Sequence, residues 1–533
     1  MTPEQYSKPQ SFQKFTVFFV ATLLFAGAVG ALWPFYKYYI DPDAISYLIL
    51  VKDYLAGNYH QAVNAFWSPM GCWLTVIWVQ LTGWPLFASA IFVNALGGWA
   101  TLISGQFLFH KFRKSRMERW CFGLCMALFW AYVVYIQSFT DIWQCFYLTA
   151  GLNLLLKKDF EQKPLLWILA GALAALSYFS KAYSFYFFPL MILVVSGLKL
   201  KQVQQYRFRK HLSIVLVAGL TMLVIAAPWL YLLHEKYGVW TTSTAGQLNL
   251  TWWLEGTQKT KPGMEVLVPP PYKNTSIFYF EDPLLAQGHF VHFWDSPRLF
   301  LKFLARIGYN AFLWVTSSNA MSPFYFIIWL IAIPLILKRA QKIFNNGHKI
   351  LVIVFLIFPL PYWLMTFDNG RYLWFTLPLC MIIGMRIFEK SIMKFLPERA
   401  VKILIPVFFL TFLVTPVLNL KEHFKDGFRE HDMAEQLKQL QIKGSFAANL
   451  SFADGSRILP DIAWFSGNAW YCHMLSEYST EEILKDARRY NVRYYFYFYE
   501  GTGDDYRLKD RNGTCYPEVT GGRIPGLKVF QLR

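Results

Sequence analysis

Charge-free runs long enough to cross a lipid bilayer recur along most of this chain. A transmembrane helix needs about 20 mostly apolar residues, within a range of about 17–25. Nine runs meet this length, and two shorter ones reach it if flanking aromatic or basic side chains extend to the interface. Only 16% of the 533 residues are charged, against about 25% in soluble domains. The predicted spans are 15–36, 85–109, 120–140, 142–156, 164–180, 182–198, 212–233, 320–337, 350–367, 372–385 and 403–420.

The net charge of +18 is distributed as membrane topology predicts. Residues 419–533 hold 16 basic and 16 acidic residues, so the positive surplus lies in the membrane part. There it is concentrated in short loops, which mark the cytoplasmic side of a membrane protein. This pattern argues against a nucleic-acid partner. The basic loops are 111–119, 199–210, 338–349 and 386–402.

The side on which these loops fall decides how the stretch 62–109 is interpreted. It is uncharged and long enough for two spans, but two spans would place every later basic loop outside. We therefore predict that 68–82, which begins at Ser68-Pro69, is a membrane-embedded helix that does not span. Such segments occur at membrane depth only where protein or a water-filled cavity surrounds them. The result is 11 spans, with the N-terminus inside and the C-terminus outside.

The last part of the chain has a different character. Residues 479–490 resemble a capped helix, and 493–499 and 527–532 resemble strands. The predicted fold is a polytopic α-helical membrane protein with about 11 transmembrane helices and a small outer α/β domain. The predicted segments are a membrane module, 1–420, with a first outer loop at 37–84 and a second at 234–319, and a C-terminal domain, 421–533.

Two acids stand in the first outer loop. Asp41 and Asp43 follow the first charge-free run within Tyr39-Ile40-Asp41-Pro42-Asp43. One interpretation is that they are solvated acids at a helix start, where Asp43 caps residues 44–55. The other is that a carboxylate at the membrane boundary carries out chemistry.

Further ionisable residues fall on the same predicted face. Asp141 follows the third span, Lys181 ends the fifth, and Asp368 and Arg371 precede the tenth. Charged residues at a membrane boundary are costly unless they are used or paired. Carboxylates suit proton abstraction and cations suit a phosphate group, whereas snorkelling cations paired with the two acids are the structural alternative. The sequence shows no firm set of metal ligands.

Five motifs, in this order and on one predicted side, resemble the GT-C superfamily of membrane glycosyltransferases. The similar branches are the protein O-mannosyltransferases, the lipid A aminoarabinose transferases and bacterial RgtA/B/C/D-like relatives. The resemblance covers about residues 10–420. The motifs are Asp41-Pro42-Asp43-Ala44-Ile45-Ser46-Tyr47, Ala65-Phe66-Trp67-Ser68-Pro69-Met70, Ser138-Phe139-Thr140-Asp141, Ser177-Tyr178-Phe179-Ser180-Lys181 and Gly370-Arg371-Tyr372-Leu373-Trp374-Phe375-Thr376-Leu377-Pro378.

The resemblance implies transfer of a hexosyl or pentosyl group from a polyprenyl-phosphate donor to a hydroxyl of a lipid, glycan or protein acceptor. It implies a bacterial cytoplasmic membrane and reaction on the periplasmic side. Asp43 would be the base, with Asp41 as the alternate, and Asp141 would position the acceptor or support the base. Some branches use a divalent metal, so the resemblance leaves a metal open. Lys181 and Arg371 would hold phosphate, and the substrate-lining residues would be Tyr47, Trp67, Asp368 and Tyr372.

Three other functions remain to be weighed. A transporter or flippase of lipid-linked sugars predicts repeated halves, and the chain shows no internal repeat. A polymerase or ligase of lipid-linked glycans would place key arginines in a large late loop, whereas 234–319 is poor in arginine. A membrane scaffold that presents the tail domain predicts that neutralising Asp43 has no effect.

Overall fold

The protein is described from a computed structural model in which helices dominate. The ranges that the structure describes are 7–136, 140–202, 208–255, 266–272, 275–287, 289–338, 343–365, 367, 370–455, 457–500, 505–510 and 513–533.

A helix occupies each of the eleven predicted charge-free runs. Within the described ranges, eight segments are long and apolar enough to cross a membrane. The chain is therefore a multi-pass membrane protein, while the exact number of spans stays a prediction. The eight segments are Phe15–Tyr36, Leu86–Phe112, Arg116–Ile136, Ser184–Lys201, Phe208–Tyr237, Asn346–Leu364, Gly370–Phe395 and Glu398–Glu422. The shorter apolar helices include Met70–Thr82, Thr140–Leu155, Pro164–Ser180 and Pro323–Lys338.

The helix Met70–Thr82 begins directly after Pro69, as predicted. It ends at Gly83, whose φ of 68° is the left-handed conformation that glycine adopts most easily. It packs against the helices Leu86–Phe112 and Pro164–Ser180. Whether it spans or only enters the membrane stays a prediction.

The end of the predicted outer loop 234–319 is occupied by one long helix. Residues Pro297–Met321 form 25 residues of continuous helix. Its buried residues recur about every fourth position, which places them on one helical face. It contains no charge-free run of spanning length, because Lys302 and Arg306 interrupt the apolar pattern. The buried face consists of Arg306, Asn310, Trp314, Ser318 and Met321.

The chain forms two compact units, each built from separate parts of the sequence. The first unit contains most of the apolar helices and comprises Met1–Pro34, Ser68–Ser243 and Leu301–His423. The second unit comprises Phe35–Trp67, Thr244–Phe300 and Phe424–Arg533. The residues of the first predicted outer loop up to Trp67 therefore share a unit with the C-terminal segment.

The second unit contains the predicted small α/β region. Its four-stranded sheet has three strands paired in parallel and one antiparallel edge strand. The helix Thr480–Arg489 starts at Ser479, where Ser479 and Glu482 form a reciprocal capping box. The predicted helix and both predicted strands are confirmed. In spatial order the strands are Ala469–Trp470, Ser445–Ala448, Tyr494–Phe498 and Leu527–Gln531.

Other helices and a small second sheet complete this unit. The strand Leu267–Val268 pairs antiparallel with Cys472–His473, which joins the 244–300 segment to the C-terminal segment. The hydrophobic core beside the main sheet includes Ala447, Ile483, Tyr495 and Phe530. The helices are Pro42–Leu55, Tyr59–Ala62, Ala245–Glu255, Pro283–Gln287, Phe428–Gln439, Phe452–Gly455, Ile458–Ser466 and Thr480–Arg489.

Candidate functional site

Three of the predicted site residues meet at helix ends in the first unit. Asp141 lies in the first turn of the helix Thr140–Leu155. Lys181 directly follows the helix Pro164–Ser180. Arg371 lies in the short 3-10 helix Gly370–Thr376. An acid at a helix N-terminus and a cation at a helix C-terminus are both favoured by the helix dipole.

The side chains form an ion-paired group, here called the Asp141 cluster, which consists of Asp141, Lys181, Arg371 and Tyr372. One carboxylate oxygen of Asp141 pairs with Nζ of Lys181. The other lies 3.7 Å from Nε of Arg371. The ammonium of Lys181 also lies 4.2 Å from the centre of the Tyr372 ring, within cation–π range. Two cations and one anion leave these side chains with a net charge of +1.

The degree of burial differs between the acid and the two cations. The Asp141 side chain is 3% exposed, whereas those of Lys181 and Arg371 are 19% and 17% exposed. The acid is thus enclosed, and both cations retain a solvent-facing part. Such a group can attract an anion while the buried carboxylate holds the cations in place.

An aromatic stack that the sequence did not predict lies beside the cluster. The Tyr372 ring stacks on Tyr362, with centroids 4.8 Å apart and planes 7° apart. Tyr362 stacks in turn on Tyr183, at 4.0 Å and 4°. Tyr183 is only two residues from Lys181, and this was the available sequence signal. The pairing with Tyr362 arises only in the tertiary structure.

A second missed residue lies one helical turn after Asp141. Gln144 is buried, and its amide donates to the Ser184 hydroxyl at 2.9 Å. A buried polar residue in an apolar helix is the signal that could have identified it. Its bond links the Asp141 helix to the helix Ser184–Gln202, which follows Lys181.

One predicted site residue lies outside the described residues. This is Asp368, together with its neighbour Asn369. The predicted contact of Asp368 with substrate therefore stays a prediction. Two residues of the third motif, Ser138 and Phe139, also lie outside the described residues.

The acidic motif belongs to the second unit, where it starts the helix Pro42–Leu55. Oδ1 of Asp41 accepts the backbone N–H of Ala44 at 2.9 Å, so Asp41 is the N-cap. The expectation that Asp43 caps residues 44–55 is wrong. Pro42 occupies the first helical position, which suits its fixed φ and missing N–H. The helix consequently starts earlier and leaves Asp43, half-buried, in its first turn.

Tyr47 and Trp67 lie together in the same unit. Their rings meet edge to face at 5.0 Å, and both are buried. The indole N–H of Trp67 donates to the Phe280 carbonyl at 2.9 Å. The Ser46 hydroxyl donates to the same carbonyl at 3.2 Å. These contacts describe packing, and the predicted contact of Tyr47 and Trp67 with substrate stays a prediction.

A buried acid next to Phe280 was also missed. The Glu281 carboxylate accepts the backbone N–H groups of Ile277 and Phe278, the second at 3.0 Å. The Glu281 carbonyl accepts the Asn64 amide at 2.8 Å. Burial raises the pKa of Glu281 to about 8, against the opposing effect of the N–H donors. Glu281 therefore carries a proton over much of the neutral range.

A metal centre has no obvious ligands among these residues. Within the described ranges, no group of three or more His, Cys, Asp or Glu side chains could hold a metal ion.

Known proteins resemble this chain in structure and not in sequence. No protein-family model and no curated protein matches it. ArnT from Cupriavidus metallidurans in the apo state matches with a TM-score of 0.50 at 13% identity, over 89% of this chain and 92% of ArnT. ArnT bound to undecaprenyl phosphate matches with a TM-score of 0.50 at 12% identity, over 99% and 98%. The Archaeoglobus fulgidus oligosaccharyltransferase in complex with Zn and sulfate matches with a TM-score of 0.51 at 12% identity, over 90% and 68%.

These likenesses establish the fold. ArnT and the archaeal oligosaccharyltransferase are GT-C proteins. This chain is thus a multi-pass membrane protein with a GT-C fold and a small sheet region near its C-terminus. The predicted GT-C-like helical membrane fold with a small C-terminal sheet region is confirmed, while the count of about 11 spans and the outer placement of that region stay predictions.

Proposed function

We propose that this protein is a glycosyltransferase that moves a sugar from a polyprenyl-phosphate donor to an acceptor hydroxyl. The observation that carries the proposal is the Asp141 cluster, in which two cations share one buried carboxylate within a GT-C fold. A structural neighbour with this fold binds undecaprenyl phosphate. The same lipid-phosphate chemistry would suit the positive group here.

Lys181 and Arg371 are the proposed phosphate ligands. As the bond between the sugar and the phosphate breaks, negative charge grows on the departing phosphate oxygens. Fixed cations stabilise that charge more in the transition state than in the bound donor. Arginine can grip a phosphate with two N–H groups, whereas lysine supplies a compact charge.

Asp43 is the proposed general base, with Asp41 as the alternate. Asp41 caps the helix through its side chain, whereas Asp43 lies half-buried in the first turn, and Asp43 is the first candidate of the two. In the reaction, the base takes the proton of the acceptor hydroxyl as its oxygen attacks the anomeric carbon. The bond from that carbon to the phosphate oxygen breaks, and polyprenyl phosphate leaves with the electron pair. General-base assistance of this kind contributes about 10²–10⁴ in rate.

The remaining side chains are given supporting roles. The geometry favours Asp141 as the residue that orients Lys181 and Arg371, rather than one that positions the acceptor. Tyr372 would line the donor site beside Lys181. The reaction would take place on the periplasmic side of a bacterial cytoplasmic membrane, with the N-terminus cytoplasmic and the segment 421–533 outside.

The direct test is conversion of the donor lipid. Purified protein is incubated with sugar-loaded polyprenyl phosphates and a lipid, glycan or peptide acceptor, and the lipids are analysed by mass spectrometry. The proposal expects free polyprenyl phosphate and a glycosylated acceptor to appear together. Movement of an unchanged donor lipid across a vesicle membrane, with no conversion, would instead identify a flippase.

A further inference from the structure

In the second unit, the helix that begins at the acidic motif packs against helices about 400 residues later in the chain. The helix Pro42–Leu55 packs against Ile458–Ser466, and that helix packs against Phe428–Gln439. The ammonium of Lys52 lies 3.7 Å from the centre of the Trp464 ring. The Tyr38 ring, just before the motif, stacks on His431 with centroids 3.9 Å apart.

The backbone at Gly427 lies very close to the backbone of Tyr38. A Cβ added there would lie 2.0 Å from the Tyr38 carbonyl oxygen, closer than any side chain can come. Its φ of 82° also favours glycine. The backbone before the acidic motif and the start of the helix Phe428–Gln439 are therefore in direct contact.

Asp461 lies within this arrangement and has no role in the mechanism above. It belongs to the helix Ile458–Ser466 and is only 5% exposed. One of its carboxyl oxygens is buried without a hydrogen-bond partner among the described residues. An unpaired ionised carboxylate in such a place would be costly, so the neutral acid is favoured.

Most of the charges around Asp461 also favour its neutral form. Burial, followed by the nearby acids Glu430 and Asp41, raises the pKa of Asp461 well above its usual range. Arg457 opposes this effect and Asp426 adds to it. The helices packed around Asp461 also carry Lys52, whose ammonium lies over the Trp464 ring, and His431, whose ring stacks on Tyr38.

We propose that Asp461 is a positioning residue that stays protonated and thereby preserves the Asp41 cap that holds Asp43. The inference rests on the proposed function, because it assigns Asp461 a part in placing the base. An ionised Asp461 would be a buried negative charge that the Asp41 carboxylate repels, and like charges repel more strongly where burial lowers the effective dielectric. The cap on Ala44 would weaken, and Asp43, two residues after Asp41, would lose its fixed position.

The C-terminal segment then takes part in the chemistry indirectly. The neutral state of Asp461 connects the helices after residue 424 with the first turn of the helix Pro42–Leu55. A rise in pH that ionises Asp461 would act on the base through this contact.

The first test reads the proton and the cap without any activity. Infrared spectra of wild type, Asp461→Asn and Glu281→Gln are compared at neutral pH, and hydrogen exchange of the Ala44 amide is compared at one alkaline pH. We expect each variant to lack a different protonated-carboxyl band of the wild type. We also expect the Ala44 amide to exchange severalfold more slowly in Asp461→Asn than in wild type at alkaline pH. Unchanged carboxyl bands, or equal exchange in the two proteins, would overturn the proposal.

The second test is the pH profile of kcat/KM. In wild type the value should decline at alkaline pH, and in Asp461→Asn that decline should move to higher pH. Glu477→Gln neutralises an exposed acid of the same C-terminal segment and should keep the wild-type profile. Identical profiles for wild type and Asp461→Asn would refute the positioning role. If no donor is turned over at all, the proposed function fails while the infrared and exchange results still decide the state of Asp461.

Discussion

The carboxylate of Asp141 is ion-paired with the ammonium of Lys181, although the two residues are 40 positions apart. One begins a helix and the other follows the end of the next apolar helix. The pair places a positive group at helix ends in the first unit and defines its candidate phosphate site. The predictions below test this pair, the acidic motif and the buried residues around that motif.

Removing the Lys181 charge should weaken donor binding. Lys181→Met keeps the apolar stem and loses the ammonium, so donor affinity should fall by about tenfold or more, ~1.4 kcal/mol. Calorimetry or competition with a labelled polyprenyl phosphate measures the change. Lys163→Met is the matched control, because Lys163 is 62% exposed and pairs with Asp159 at the surface, where ion pairs contribute little. Equal donor affinity in wild type and Lys181→Met would remove Lys181 from the phosphate site.

The charge balance of the pair gives a second prediction. Lys181→Met leaves the buried Asp141 with a weaker set of partners, and breaking a buried pair costs about 3–5 kcal/mol. The double variant Asp141→Asn with Lys181→Met should therefore melt at a higher temperature than Lys181→Met alone, while donor binding stays weak. A double variant with restored donor affinity would show that the ammonium is dispensable.

The roles of Asp41 and Asp43 can be distinguished by mutation, because Asp41 caps the helix and Asp43 is the proposed base. Asparagine caps a helix about as well as aspartate, so Asp41→Asn should keep stability and most of the turnover. Asp41→Ala should lose about 0.5–2 kcal/mol of stability. Asp43→Asn should lose turnover while donor binding and melting temperature stay at wild-type values. Inactive Asp41→Asn beside active Asp43→Asn would reverse the assignment of the base.

The protonation of Glu281 predicts a pH dependence of stability. In the unfolded chain Glu281 ionises near its ordinary pKa of 4.5, whereas in the folded protein it keeps its proton to about pH 8. Its contribution to the free energy of unfolding is therefore complete below pH 4.5 and is lost as the pH rises to about 8. Glu281→Gln keeps an accepting oxygen for Ile277 and Phe278 and cannot ionise. Its melting temperature relative to wild type should rise between pH 4.5 and pH 8, and a constant difference would contradict the assignment.

A variant of Trp67 can show whether this side chain only packs in the second unit or also contacts substrate. Trp67→Phe keeps a buried ring but loses the N–H that donates to Phe280. The Ser46 hydroxyl still donates to this carbonyl, so the loss is that of one hydrogen bond, about 0.5–1.5 kcal/mol, and the melting temperature should fall while KM stays the same. A raised KM with unchanged melting temperature would instead show that the ring lines the substrate site.

Much of the helical architecture could be predicted from the sequence, because charge-free runs of spanning length predict membrane helices. The positions of Asp141, Lys181 and Arg371 at helix ends follow from the same pattern, and the structure brings these three residues together. The Tyr183–Tyr362–Tyr372 stack could not be predicted, since its rings come from segments that meet only on folding. The cap is Asp41 and not Asp43, because Pro42 occupies the first helical position and the helix starts two residues earlier than predicted. Glu281 and Asp461 gave no sequence signal, since their burial depends on distant segments.

Donor turnover by wild type and Asp43→Asn, measured with a panel of polyprenyl-phosphate sugars, decides whether this protein is a glycosyltransferase whose base is Asp43. Wild type should release polyprenyl phosphate from at least one donor and transfer its sugar, while Asp43→Asn should bind that donor with wild-type affinity and not turn it over. Wild-type protein that neither binds nor consumes any donor, or Asp43→Asn that turns over at the wild-type rate, would contradict this assignment.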